Sequence, residues 1–191
     1  MSRQRLGTVL GVALGATLVF AAVALAETIK GTQGDDNNLN GTEGPDKIIA
    51  MKGNDTVNAL GEADRVSGGR GTDTVNAGDG DDSVWGGADD DTLNGELGND
   101  SLRGKGGADT LNGEEDNDFL SGGKDVDTIN AGEGDDFVFS RGDGNKADAV
   151  DCGGGTNDSV RADKNDVLVN CENVDRTGDG NATKPAKPPH P

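Results

Sequence analysis

Asp46, Asp55, Asp64, Asp73, Asp82, Asp91, Asp100, Asp109, Asp118, Asp127 and Asp136 follow one another every nine residues without a slip. Two residues after each stands an aliphatic side chain: Ile48, Val57, Val66, Val75, Val84, Leu93, Leu102, Leu111, Leu120, Ile129 and Val138. A fixed short period marks a stacked-repeat architecture, in which each unit buries its apolar face only against its neighbours. Each repeat sets one carboxylate in a glycine-rich turn and one apolar residue in a short strand. The period therefore predicts an all-β solenoid with a ladder of carboxylates along its turns.

The repeat GGRGTDTVN (68–76) gives the plan of one unit. Glycines at its start and centre allow the positive φ angles of consecutive tight turns, and Asp73 closes the turn. Val75 points inward from a strand about three residues long, with Thr74 and Asn76 outward by the two-residue alternation of a strand. A second period lies over the first. Asp-Thr-aliphatic-Asn recurs at 55–58, 73–76, 91–94, 109–112 and 127–130, eighteen residues apart. Eighteen residues per coil means two strands per coil, so alternate repeats stack into two separate parallel sheets. One sheet has a uniform Thr/Asn outer face. The other is mixed and carries Trp85, Phe119, Phe137 and Phe139, every aromatic after the N-terminal segment.

The chain has 191 residues, with 36 acids against 17 Lys and Arg, no Tyr and 33 Gly. Acidity with few aromatics ordinarily argues for disorder, and here the strict repeat argues against it. The N-terminus reads as a targeting segment. Arg3 and Arg5 precede an apolar run from Leu6 to about Val23, and Ala24-Leu25-Ala26 forms a small-x-small cleavage pattern before Glu27. The expectation is a cleaved signal peptide over 1–26 and an extracellular, secreted or surface-associated protein. An uncleaved membrane anchor is the alternative. Removing the segment, which holds Arg3 and Arg5 and no acid, takes the net charge from −19 to −21. Such charge argues against nucleic acid and, once the signal is gone, against an anionic membrane as partners, and it invites cations.

The repeats resemble the G-G-x-G-x-D-x-aliphatic-x nonapeptide of RTX, or hemolysin-type, calcium-binding proteins, over roughly 41–139. The resemblance implies a parallel β-roll with multiple Ca²⁺ ions held between turns of successive coils by repeat aspartates and turn carbonyls. Carried onto this chain, one ladder holds Asp46, Asp64, Asp82, Asp100, Asp118 and Asp136, and the other Asp55, Asp73, Asp91, Asp109 and Asp127. Oxygen-only ligands suit a hard cation, and flexible coordination favours Ca²⁺ over Mg²⁺. The motif's fourth position is Glu62, Asp89, Asp116 and Asp125 in four repeats, and Leu60 replaces a second glycine. Asp36, Asp148, Asp158 and Asp166 fall outside the strict register and are not expected to be full ligands. The energetic expectation is a chain that is largely unfolded without metal and folded by calcium.

The chain around the roll divides into a lead-in at 27–40 with an irregular first repeat, a C-terminal cap at 140–174, and a polar tail at 175–191 expected to be disordered. The cap is expected to fold over Phe137 and Phe139. It contains Cys152 and Cys171; in an exported chain these are expected to form a disulfide, with a reduced buried pair as the alternative. Catalysis has little to stand on. The single histidine is His190, and no Ser/His/Asp or Cys/His set exists. Calcium binding without enzymatic activity is the leading function. A structural or adhesive role at a cell surface, through the face bearing Trp85 and Phe119, is the first alternative. Ice or crystal-surface binding by the Thr/Asn face and a secreted enzyme rank below it. Arg141-Gly142-Asp143, the EF-hand-like start at Asp175 and the glycosylation acceptor at Asn181 carry little weight.

Overall fold

The structure is a computed structural model that describes residues 26–142 and 146–176. The signal segment apart from Ala26, the tail beyond Arg176 and Asp143 lie outside them. The strands in chain order are β1 (Thr28–Lys30), β2 (Leu39–Asn40), β3 (Lys47–Lys52), β4 (Thr56–Gly61), β5 (Arg65–Arg70), β6 (Thr74–Asp79), β7 (Ser83–Ala88), β8 (Thr92–Leu97), β9 (Ser101–Gly106), β10 (Thr110–Glu115), β11 (Phe119–Lys124), β12 (Thr128–Glu133), β13 (Phe137–Ser140), β14 (Ala149–Asp151), β15 (Ser159–Ala162), β16 (Val167–Val169) and β17 (Asn173–Asp175). Odd-numbered strands form a nine-stranded sheet and even-numbered strands an eight-stranded one. Every pairing is parallel. Val75 pairs with Val57 and Leu93, each one coil away, so the register is the eighteen-residue period itself. Among the described residues there is no helix, and the chain is an all-β parallel β-roll.

The core is two columns deep in each sheet. The second residue of each strand, from Ile48 to Val138, is fully buried. The fourth is also buried and is always small: Ala50, Ala59, Gly68, Ala77, Gly86 and their successors. Small size is needed there because the turn folds back over it. A Cβ on Gly86 would collide with the Asp91 carboxylate. Outward Asn58, Asn76, Asn94, Asn112 and Asn130 join Asn40 in a ladder, each amide donating to the Asn one coil earlier at 2.7–3.0 Å.

Strands β3 to β12 are six residues long, twice the expected length. Pairing runs through the corner because identical corners stack, as with Leu60 on Gly78 and Gly61 on Asp79. The corner requires positive φ at the motif's second and fourth positions. Leu60 (φ 89°) and Glu62 (φ 62°) carry it in the same turn without a glycine. Met51, Glu96, Lys105 and Glu114 also take positive φ at the second position. That conformation costs a residue with a Cβ roughly 1–2 kcal/mol.

The segment after the array departs from expectation. It covers the outer side of Phe137 only through the Arg161 guanidinium and does not fold back over that face. Instead β14 pairs with β12, β15 with β13, β16 with β14 and β17 with β15, so the roll continues to Asp175. The irregular spacing of its aspartates hides the period. Cys152 and Cys171 form a disulfide, nineteen residues apart, that ties these last coils together.

Candidate metal centre

The repeat aspartates stand at the mouths of the strands, and all are buried at 5% exposure or less. Each donates its backbone N–H to Oδ1 of the aspartate one coil later. Asp46 donates to Asp64 at 2.6 Å, Asp64 to Asp82 at 2.7 Å, Asp82 to Asp100 at 2.8 Å and Asp100 to Asp118 at 2.7 Å. The opposite edge repeats this from Asp55 to Asp73, Asp91, Asp109 and Asp127, all at 2.9 Å. One carboxylate oxygen per residue is thereby committed to holding coil on coil.

The second oxygen is not. The Oδ2 atoms of Asp55, Asp64, Asp73, Asp82, Asp91, Asp100, Asp109, Asp118, Asp136 and Asp158 are buried without a hydrogen-bond partner. A buried unpaired carboxylate oxygen is costly unless a charge or donor meets it. Burial is the largest influence on their titration. It pushes Asp64, Asp91 and Asp100 up to about 7, Asp73, Asp82 and Asp109 up to about 6, and Asp118 up to about 8. The backbone hydrogen bonds oppose that rise, and neighbouring carboxylates add to it.

Backbone oxygens converge on the same turns. The carbonyls of Gly53, Glu62, Gly80, Asp89 and Asp116 crowd Gly71, Gly80, Gly98, Gly107 and Gly134, the equivalent corner one coil on, so closely that a Cβ there would collide. The carbonyl of Gly86 lies beside Gly68, which also adjoins Asp73 Oδ2. Among the described residues no three His, Cys, Asp or Glu side chains gather as a metal cluster. A cation between coils would thus draw largely on backbone oxygen, with the unpaired Oδ2 atoms supplying charge. An all-oxygen set of carbonyls and carboxylates fits a hard divalent cation such as Ca²⁺.

The RTX calcium-binding nonapeptide repeat model matches in four copies, at residues 31–66, 40–75, 67–102 and 103–138. The chain belongs to the RTX calcium-binding repeat family. A comparison with curated proteins found no match. RTX repeats imply calcium binding, and calcium is the partner the family supports.

The ladder is longer than the sequence reading allowed. Asp36 donates to Asp55, Asp127 to Asp148, Asp136 to Asp158, and Asp148 to Asp166. These four aspartates occupy true rungs. Asp148, Asp158 and Asp166 carry on the sequence pattern irregularly, and the Asp-x-aliphatic triplet at 148–150, 158–160 and 166–168 is what keeps them in the ladder where the nine-residue count fails. Glutamates stand at the two ends of one ladder. Glu27 N–H donates to Asp46, and Glu172 accepts from Asp158 N–H at 3.3 Å.

Proposed function

We propose that this RTX chain is an exported calcium-binding protein whose roll folds on binding Ca²⁺ and has no catalytic activity of its own. The observation that carries the reading is the row of buried, unpartnered Oδ2 atoms opposite stacked turn carbonyls. Asp46, Asp55, Asp64, Asp73, Asp82, Asp91, Asp100, Asp109, Asp118, Asp127 and Asp136 are the proposed ligands, Asp46 at the end of the array with an Oδ2 it shares with Thr42, and Asp158 joins them on its unpaired oxygen. Bound calcium supplies positive charge that offsets the desolvated carboxylates. The chain's own part is to present them on a fixed stack and to exclude water from one side of each.

Residues 1–26 serve in this reading as a cleaved signal, and the last coils with their disulfide close the end of the roll. The disulfide agrees with an oxidising destination. The Asn ladder gives the Thr/Asn face an internal structural use, which weakens the ice-binding alternative.

Far-UV circular dichroism of the full chain, titrated with Ca²⁺ and in parallel with Mg²⁺, tests the reading. A cooperative gain of β signal with calcium is expected, because each coil templates the next. A β spectrum that a chelator leaves unchanged would reduce the aspartates to turn formers.

A further inference from the structure

Formal charge is divided between the two sheets. The strands of the nine-stranded sheet hold Lys30, Lys47, Lys52, Arg65, Arg70, Arg103, Lys105, Lys124 and Arg161 against one acid, Asp175. The strands of the eight-stranded sheet hold Asp79, Glu96, Glu114, Glu115, Glu133 and Asp151 and no base. In a chain of net charge −19 this leaves one basic face.

Its outward positions form a stripe. Lys30, Lys47, Arg65, Arg103 and Arg161 share it with half-buried Trp85, Phe119, Phe137 and Phe139. Phe119 and Phe137 stack at 5.6 Å and 7°, Arg103 lies 4.9 Å over Phe119, and Arg161 lies 5.4 Å over Phe137. The ion pairs among the described residues are Arg141–Asp175 and Lys146–Asp125, and neither draws on a cation of the stripe. Asp175, the sheet's one carboxylate, is thus already paired. Five cations without a carboxylate partner, on a chain this rich in carboxylates, mark a surface matched to outside anions.

The shape of the stripe narrows the partner. Two outward positions on one strand span about 7 Å, and nine strands span about 38 Å. Exposed Glu62, Asp81 and Asp116 border one side, and on the other Asp89 and Asp90 alternate with exposed Lys52, Arg70 and Lys124. A phosphate plane or a duplex would press against the acidic rim, whereas a single extended polyanion would not. The stacked Phe119 and Phe137 under their guanidiniums leave Trp85 and Phe139 as separate ring faces three coils apart, not the run of adjacent platforms on which single-strand nucleic-acid sites depend.

We propose that this stripe binds one extended chain of an acidic polysaccharide along the roll axis. Carboxylates or sulfates pair with Lys47, Arg65, Arg103 and Arg161, and sugar rings pack on Trp85 and Phe139. The inference rests on the calcium-folded roll, since the stripe exists only when the coils stack.

Trp85 is the only tryptophan, so its fluorescence reports on the stripe. The full chain in calcium is titrated with chondroitin sulfate, with dextran as a neutral polymer, oligothymidylate and anionic phospholipid vesicles in parallel. A β spectrum is recorded on every sample. Saturable chondroitin sulfate binding that weakens with salt is expected. The double variant K47E/R65E, on exposed positions away from the core, should bind at least tenfold more weakly with an unchanged β spectrum. Lys164→Glu, off the stripe, should bind like the parent. No binding by a folded chain overturns the proposal, as does equal binding by K47E/R65E or tighter binding to oligothymidylate or vesicles. A chain whose β signal ignores calcium would defeat the folding reading alone, and the stripe is then decided on that folded protein.

Discussion

Rungs inside the array and rungs at its ends use their carboxylates differently. Asp100 spends Oδ1 on a neighbouring N–H and leaves Oδ2 buried and unpaired. At one end, Asp46 Oδ2 accepts from Thr42 N–H at 2.6 Å and Thr42 Oγ1 at 3.0 Å, and Asp36 Oδ2 accepts from Thr32 N–H at 2.6 Å. At the other, Asp166 Oδ2 accepts from Asp163 N–H at 2.7 Å and Ser140 Oγ at 2.9 Å. These three end rungs are satisfied by protein donors, whereas Asp158, the last aspartate of the ladder that begins at Asp46, keeps an unpaired Oδ2. The interior rungs are satisfied only by something added, so dependence on metal is concentrated in the middle of the roll.

The strongest break of that comparison is chelation. Removing calcium should abolish most β signal, and hydrogen exchange should show protection lost first between β5 and β11. Loss that begins instead at the terminal coils would contradict the contrast. Opening the disulfide with C152S/C171S acts on the end alone. Closing a loop of nineteen residues is worth about 3 kcal/mol, so the calcium-loaded midpoint in denaturant should fall accordingly. Calcium stoichiometry by calorimetry should stay unchanged.

Acidity should separate the states without calcium. Asp64, Asp91 and Asp100 are pushed up to about 7 and Asp118 up to about 8 in the folded chain, from an ordinary 3.8. The folded state therefore binds more protons than the unfolded one. Their contribution to calcium-free stability is full below the unfolded value and is lost as pH rises through about 6–8. Chelated protein should show more β signal at pH 5 than at pH 8, while the calcium midpoint should rise on acidification as protons compete for the same oxygens. Circular dichroism at the two pH values checks both signs.

Two single substitutions refine the contrast. Asp100→Asn should lower calcium stoichiometry and raise the calcium midpoint severalfold, whereas Asp166→Asn should leave stoichiometry intact. The smallest effect belongs to the corner at Leu60 and Glu62. Glu62→Gly relieves a left-handed residue and should stabilise the loaded roll by about 1 kcal/mol, read as a raised Tm.

Much of this was legible because the period is physical. Val75 and Asn76 point in and out as their places in the repeat require, and both sheets follow from Asp-Thr-aliphatic-Asn at eighteen residues. What escaped reading depends on contacts that counting does not capture. Asp148 and Asp158 keep their rungs while their spacing from Asp127 and Asp136 stretches to 21 and 22, so the contact persists where the count fails. Strand length was underestimated because Leu60 and Gly78 pair through a corner that sequence alone marks as a turn. The disulfide expectation held, since it rested on compartment chemistry rather than register.

The two-strand coil also limits how such a chain can grow or shrink. Inserting or deleting eighteen residues adds or removes a whole coil and leaves every downstream side chain on its original sheet. A change of nine residues keeps the aspartate spacing and the buried aliphatics intact, yet transfers everything after it to the opposite sheet. Phe119 would then extend the Thr/Asn surface, and the basic stripe would be cut in two. Length variation in steps of one repeat would be silent for folding and disruptive for surface identity, so lineages that depend on either face should differ in length by whole coils.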